Sequence, residues 1–447
     1  MSNYSNSNSG FSISNFIRQE SFGGFLLIFM TIVAVVWANS PFEYLYHHIW
    51  HEIEMGFSFA GFELKGELHY WVNDFLMVIF FFVIGLEIKR EIIAGELSNV
   101  KSAILPVGAA VGGMLIPALV YVLFNYDNPD FSHGWGIPMA TDIAFALGLM
   151  SLLGDRVNPN LKIFLTALAI ADDLGAILVI ALFYTESIDM MEIFYAFIFL
   201  GVLIAGNMLG VRRATFYAVV GLVGVWLSFI YSGVHATIAG VLIAFTIPSK
   251  TKISGKQYID KLRTMLIKSS IFSKDDKSIL SADEVHTLSK VSSLTKDAES
   301  PSHKLEHVLH PVATFFILPV FALANAGVHI DDRLDNLLFH PISLGIIAGL
   351  VIGKFLGVSL FTRLMISLKI TELPEGVDMK QIYGVAFLAG IGFTMSIFIS
   401  DLAFVSNEYI QIAKVGVFAA SIIAATIGML FLHFGTKEKI QAKNNEK

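Results

Sequence analysis

Asp172 and Asp173 are adjacent carboxylates inside 161–183, a stretch whose other residues read as membrane-spanning helix. One ionised carboxylate at bilayer depth costs about 3 kcal/mol on the lower scales and more on others. A pair there calls for a chemical reason. A bound cation supplies one, and so does a proton that comes and goes; a structural salt bridge is the plain alternative. Successive helical residues point about 100° apart, so the two carboxylates cannot serve one ligand equally. One can face an ion while the other faces a different partner.

Other oxygens and one cation belong with this pair. Residues 136–148 read Gly-Ile-Pro-Met-Ala-Thr-Asp-Ile-Ala-Phe-Ala-Leu-Gly. Pro138 removes an amide donor, while Thr141 and Asp142 bring oxygens to mid-membrane. A broken helix accounts for this better than a continuous one, because carbonyls freed by the break need an ion or water as partner. A Pro-kinked helix with Asp142 bonded to its neighbours is the other reading. Lys354 is the only cation that hydropathy places in a membrane core, and it is the obvious partner for a central carboxylate. Residues 384–396 hold three glycines and two hydroxyls, which fits either a close-packing face or a second break.

These residues need a scaffold. The chain has 447 residues, 55% hydrophobic and 15% charged, with mean hydropathy +0.68. A soluble protein carries roughly 25% charged residues, so the chain is polytopic in a membrane. Without Cys it has no thiolate metal site, Cys nucleophile or disulfide. The net charge of −7 is spread over loops and argues against a nucleic-acid partner, leaving membrane lipid as the surroundings.

Apolar runs long enough to cross about 30 Å of hydrocarbon fall near 22–39, 71–88, 103–124, 136–153, 161–183, 190–209, 213–231, 234–248, 306–326, 342–362, 380–400 and 413–434. The expected fold is an all-α polytopic membrane protein of twelve transmembrane helices. A tail at 1–21 precedes spans one to eight (22–248); a long loop (249–305), spans nine to twelve (306–434) and a tail (435–447) follow. The polar N-terminus lacks a basic n-region and a cleavage site, so the first apolar run is expected to be retained. With the N-terminus inside, 26 of the 30 Lys and Arg lie on the inner side, and only Lys65, Arg333 and Lys414 lie outside. Both termini are therefore expected in the cytoplasm.

Spans three to five start inside and spans ten to twelve start outside, with an interrupted helix in the middle of each triplet. This is the pattern of inverted-topology repeats, in which two discontinuous helices cross and the ion site lies where the breaks meet. Asp142 would offset the positive half-helix ends there and Lys354 the negative ones. Residues 55–68 alternate around Ala60-Gly61 as a small outer β-hairpin. Two strands alone are marginal in water, so the hairpin needs a second copy or the membrane surface. Within the long loop, Ser281-Ala-Asp-Glu284 resembles a capping box ahead of Val285, Leu288 and Val291.

Further titratable groups lie near the ends of spans. Glu87 and Glu91 share a helical face with Arg90 beside them, as a charged funnel mouth or a solvated helix end. Glu306, His307 and His310 open span nine at the same surface. His235 faces the outer side and titrates in the physiological range, although a lone His is more often structural. Asp74 is too ambiguous to assign.

Taken together, Ala140-Thr-Asp-Ile-Ala-Phe-Ala-Leu-Gly148, Asp172-Asp-Leu-Gly-Ala-Ile177, Gly85-Leu-Glu-Ile-Lys-Arg-Glu91, Ser232-Gly-Val-His-Ala-Thr237, Leu305-Glu-His-Val-Leu-His-Pro311 and Gly390-Ile-Gly-Phe-Thr-Met-Ser-Ile-Phe398 resemble the NhaA family of bacterial Na+/H+ antiporters. Nearly the whole chain takes part, except the longer 249–304 loop and the extended Ser/Asn N-terminus. The resemblance implies a multi-pass inner-membrane homodimer, joined partly through the outer β-hairpin. It would export Na+ or Li+ and import H+ electrogenically, with activation at alkaline pH, serve pH and sodium homeostasis, and use no cofactor. It implies that Asp142 and Asp173 bind the ion (Na+ or Li+), that Asp172 is linked to Lys354, and that Thr141 sits at the unwound crossing. Glu87, Arg90, Glu91, Glu306, His307 and His235 fall at positions associated with pH response. Two other classes fit paired membrane aspartates. An intramembrane aspartyl protease would need Tyr-Asp and Gly-x-Gly-Asp motifs, which are absent; a passive cation channel would not exchange Na+ for protons.

Overall fold

A computed structural model describes residues 20–59, 62–185, 188–268, 282–329 and 334–445. Helices occupy most of them. In chain order these are α1 (Glu20–Ala38), α2 (Leu68–Ala94), α3 (Val100–Asn125), α4 (Ile143–Leu152), α5 (Pro159–Phe183), α6 (Met190–Met208), α7 (Ala214–Ser232) and α8 (Thr237–Thr246). There follow α9 (Gly255–Lys268), α10 (Ala282–Ala298), α11 (Pro301–Asn325), α12 (Pro341–Ser367), α13 (Met379–Leu388), α14 (Phe393–Ala403) and α15 (Asn407–Asn445). Strands β1 (Glu54–Phe59) and β2 (Phe62–Glu67) pair antiparallel, from Glu54 opposite Glu67 to Phe59 opposite Phe62. This is the expected hairpin, and its turn residues Ala60 and Gly61 lie outside the described residues.

The chain divides into two compact units, Met1–Phe80 with Glu91–Ser187 and Val312–Lys447, and Phe81–Arg90 with Ile188–Pro311. The first holds the two broken spans. A 3₁₀ helix, His133–Met139, bends by 45° into α4 across 140–142. α13 bends by 47° into α14 across 389–392. Local chemistry sets the neighbouring helix starts. The Asn99 side chain accepts from the Lys101 amide at 3.1 Å to cap α3. Asn158 does the same for α5 ahead of Pro159, whose missing amide costs nothing at a first helical position. Asp378 and Gln381 form a capping box on α13.

α3 and α12 pack backbone to backbone. A Cβ placed on Gly357 would lie 2.1 Å from the Gly112 carbonyl oxygen, so a glycine is required for this approach. One turn before Lys354, residues Ala348–Gly353 form a π turn; such turns carry one residue more than an α-helix allows and gather at functional positions.

Eight helices are long and apolar enough to cross a membrane alone, and three bent pairs bring the number to eleven among the described residues, against the twelve expected. The first apolar run, 22–39, is met by α1, after which the chain turns by 120° into Glu43–Glu52, because Ser40-Pro41 cannot continue a helix. Two expectations change. The 234–248 run shrinks to the ten residues of α8. Gly233, at φ 80°, ends α7, and Pro248 follows α8. The last span starts at Asn407 rather than 413, which carries Lys414 two turns into the helix, where it is 6% exposed. Lys414 is therefore no outer-loop cation, and Lys354 is not the only cation within a span. A lysine sets back the hydropathy boundary, whereas here an aspartate partner lets it be buried.

In the second unit, α9 and α10 form a hairpin. The Lys252 amide donates to the Asp297 carbonyl at 3.0 Å, and the Tyr258 and Thr295 hydroxyls share a bond of 3.2 Å. α10 is the helix expected after Ser281; Ser281 itself lies outside the described residues. α9 was not expected.

Candidate ion site

Asp142 stands where the two breaks meet. Its amide donates to the Ile391 carbonyl at 2.7 Å, joining the break before α4 to the break before α14. Its carboxylate caps α4, with Oδ1 accepting from the Phe145 amide at 2.9 Å. Oδ2 accepts from the Thr394 amide at 3.2 Å and from the Thr394 hydroxyl, at the first turn of α14. One carboxylate thus lies at the N-terminal ends of two half-helices, where their unsatisfied amides carry partial positive charge. Asp142 is 2% exposed.

Thr141 and Lys354 tie the same region to α5. The Thr141 hydroxyl lies 2.8 Å from both Asp172 Oδ2 and the Ala389 carbonyl. Lys354 Nζ donates to Asp172 Oδ2 at 2.6 Å and also to the Met139 carbonyl, the last residue of the 3₁₀ helix. The ammonium therefore sits at a carbonyl-rich helix end, and the aspartate it pairs with is Asp172. Both side chains are fully buried. Asp173, the next residue on α5, is 1% exposed. A final link crosses between the broken spans, from the Ser396 hydroxyl to the Ile137 carbonyl at 2.8 Å.

Asp142, Thr141, Asp172, Asp173 and Lys354 all lie in the first unit. Among the described residues no three His, Asp or Glu side chains are grouped to hold a metal ion. A cation here would have carboxylate, hydroxyl and backbone carbonyl oxygens to draw on, the donors that hard cations take. A cleft of about 380 Å³ in the same unit is lined by Glu91, Glu96, Lys162 and Thr166. Thr166 precedes Asp173 on α5 by seven residues, about 10 Å at the rise of a helix.

The residues expected at a funnel are assigned to both units. Arg90 and Glu306 lie in the second unit and form an ion pair in which the Glu306 side chain is 7% exposed and that of Arg90 39%. Glu87 and His235 are half-buried and His307 is exposed in that unit. Glu91 belongs to the first unit, where its Oε2 accepts from the Glu96 amide at 3.0 Å.

A sequence profile of the family described as Na+/H+ antiporter 1 matches residues 14–432. The chain belongs to that family. A relative from Psychromonas ingrahamii, named Na(+)/H(+) antiporter NhaA 1, is 49% identical over 414 residues, covering 92% of this chain and 93% of that protein. One from Oleidesulfovibrio alaskensis, named Na(+)/H(+) antiporter NhaA, is 48% identical over 422 residues, 93% of this chain and 92% of the relative. A third, of the same name from Wolinella succinogenes, is 44% identical over 432 residues, 96% and 95% of the two chains. With eight to eleven candidate spans, this member of the antiporter family is a multi-pass membrane protein.

Sequence reasoning missed several contributors to the site in this antiporter-family chain. Thr394 was seen only as one of two hydroxyls in a glycine-rich run, and the carbonyls of Met139, Ala389 and Ile391 carried no sequence signal. Outside this site, in the second unit, Lys89 donates to the Phe245 carbonyl at 2.6 Å and to the Ile247 carbonyl, closing the C-terminal end of α8.

Proposed function

We propose that this protein is a secondary active transporter, not an enzyme, that exchanges Na+ or Li+ for H+ across the bacterial inner membrane. The observation that carries the reading is the meeting of two broken helices on Asp142, beside a buried Asp172–Lys354 pair and Asp173. Membership of an antiporter family supports it.

In this reading the site holds Na+ or protons, never both. Burial away from water disfavours a bare carboxylate, so the acidic side chains need either a cation or a proton. Na+ arriving from the cytoplasm, through the cleft below Thr166, takes Asp173 and Asp142 and displaces protons. The loaded core then opens outward, Na+ leaves and protons return, so the proton gradient drives export. Rigid-body movement of the core around the crossing would alternate access. Asp172, with Lys354 and Thr141, holds the crossing together and shares the charge of the site.

The finer organisation is part of the same proposal. Twelve spans form inverted repeats, with spans 3–5 matching 10–12, and both termini are cytoplasmic. The β1–β2 hairpin joins two copies in a homodimer within membrane lipid, and no nucleic acid is bound. The exchange is electrogenic and rises at alkaline pH. Glu87, Arg90, Glu91, Glu306, His307 and His235 form the pH-responsive set, which keeps the cytoplasm within its pH and sodium range.

The test is proton efflux from acid-loaded everted vesicles on adding Na+, Li+ or K+ across a pH series. Wild-type protein should respond to Na+ and Li+, while Asp173→Asn and Asp142→Asn should each express normally and abolish the response. Normal exchange in either variant would remove that carboxylate from the ion site. Sodium entry without any reciprocal pH change would indicate a channel.

A further inference from the structure

A second buried ion pair lies at the far end of α14. Asp401 Oδ1 is 3.2 Å from Lys414 Nζ, with side chains 9% and 7% exposed. Asn73 Nδ2 donates to Asp401 Oδ2 at 3.3 Å. Asn73 and Asn325 then bond each other in both directions, at 2.8 and 3.3 Å. Asn325 also donates to the Phe321 carbonyl of its own helix at 3.0 Å, and its Oδ1 meets His69 Nε2 at 2.8 Å. Asn73 of α2, Asn325 of α11 and Lys414 of α15 are thus tied to one aspartate, and these residues all lie in the first unit.

Charges buried in a membrane-spanning helix are costly, and such a pair stabilises little by itself against an apolar replacement. Its recurrent use is to fix a position. α14 is short and follows a break at 389–392, so its first turn has no continuous helix behind it to hold it. That turn supplies the Thr394 amide and hydroxyl to Asp142. Asp401 lies seven residues further on, which returns to the same stripe of the helix about 10 Å away. The rod is therefore gripped at both ends along one face, by Asp142 at its start and by the Asp401 network at its end.

We infer that Asp401, with Lys414 and Asn73, is a positioning residue for cation binding: it pins the end of α14 so that Thr394 meets Asp142 in the geometry the ion site needs. This rests on the exchange reading above and extends it to residues outside the crossing. Asp401 does not touch the ion; it acts through the helix.

The experiment measures apparent KM and Vmax for Na+ and Li+ in proteoliposomes, together with the folded fraction by size-exclusion chromatography. Asp401→Asn leaves Lys414 buried without its charge partner and so can fail to fold. The decisive variant is therefore Asp401→Leu with Lys414→Met, an apolar exchange of the whole pair that buried ion pairs tolerate. It should fold and raise KM by roughly tenfold, the equivalent of one hydrogen bond at the cation's ligands, with the smaller change in Vmax. Asp401→Glu, which keeps the charge, should recover most of the wild-type KM. An unchanged KM in the folded double variant would overturn the inference. So would a loss of activity that tracks the folded fraction alone. If wild-type protein itself shows no response to Na+ or Li+, the exchange reading falls, and this inference with it.

Discussion

Replacing Lys354 with Met removes the ammonium that donates to Asp172 at 2.6 Å and to the Met139 carbonyl. Asp172 is then a fully buried carboxylate that accepts from the Thr141 hydroxyl at 2.8 Å. Breaking a buried pair by deleting one partner costs about 3–5 kcal/mol, because the surviving charge has neither water nor counter-ion. At about 1.36 kcal/mol per tenfold, the folded-to-unfolded ratio should fall by roughly two to four powers of ten. Removing both charges, as in Lys354→Met with Asp172→Leu, strands only the Met139 carbonyl, since Thr141 keeps the Ala389 carbonyl as acceptor. An orphaned buried acceptor costs about 1–3 kcal/mol, so the double variant should be more stable than either single one. Detergent-driven unfolding in mixed micelles, followed by tryptophan fluorescence, measures all four proteins. A double variant no more stable than the sum of the single losses would refute a direct Lys354–Asp172 coupling.

Two further outcomes follow from the packing and the second unit. Gly357→Ala pushes a methyl to within 2.1 Å of the Gly112 carbonyl; overpacking of this kind costs about 1–3 kcal/mol, and the purified protein should melt earlier. An unchanged melting temperature would mean that α3 and α12 part freely. Glu306→Gln removes from the proposed pH-responsive set the carboxylate charge paired with Arg90. The pH profile of Na+-driven proton efflux should move toward alkaline values, and an unmoved profile would dismiss the pair from activation.

Much of the site was legible because its signals are local. Charged residues inside apolar runs mark Asp172, Asp173 and Lys354, and Pro138 and the glycines at 390 and 392 mark the breaks. Alternation marks the hairpin. What stayed hidden depends on distance in sequence. Thr394 bonds Asp142 across 252 positions, and no pattern near either residue announces it. Lys414 was hidden for a related reason, since its aspartate lies on another helix, and a lysine judged alone belongs to a loop. The 22–39 run ends where α1 does, before Ser40-Pro41, whereas α8 is shorter than its 234–248 run because 234–236 precede the helix and Ile247-Pro248 follow it. α9 carries a helical period at Tyr258, Leu262 and Met265 inside a strongly charged segment, where apolar run length says nothing.

Two rods in this molecule begin at a single acidic side chain. Whatever cancels the charge of Asp142, whether a proton, a metal cation or a substitution to asparagine, withdraws support from the starts of both at the same instant. Neither rod can register the event alone, so the two halves of the core are bound to answer one chemical change in concert.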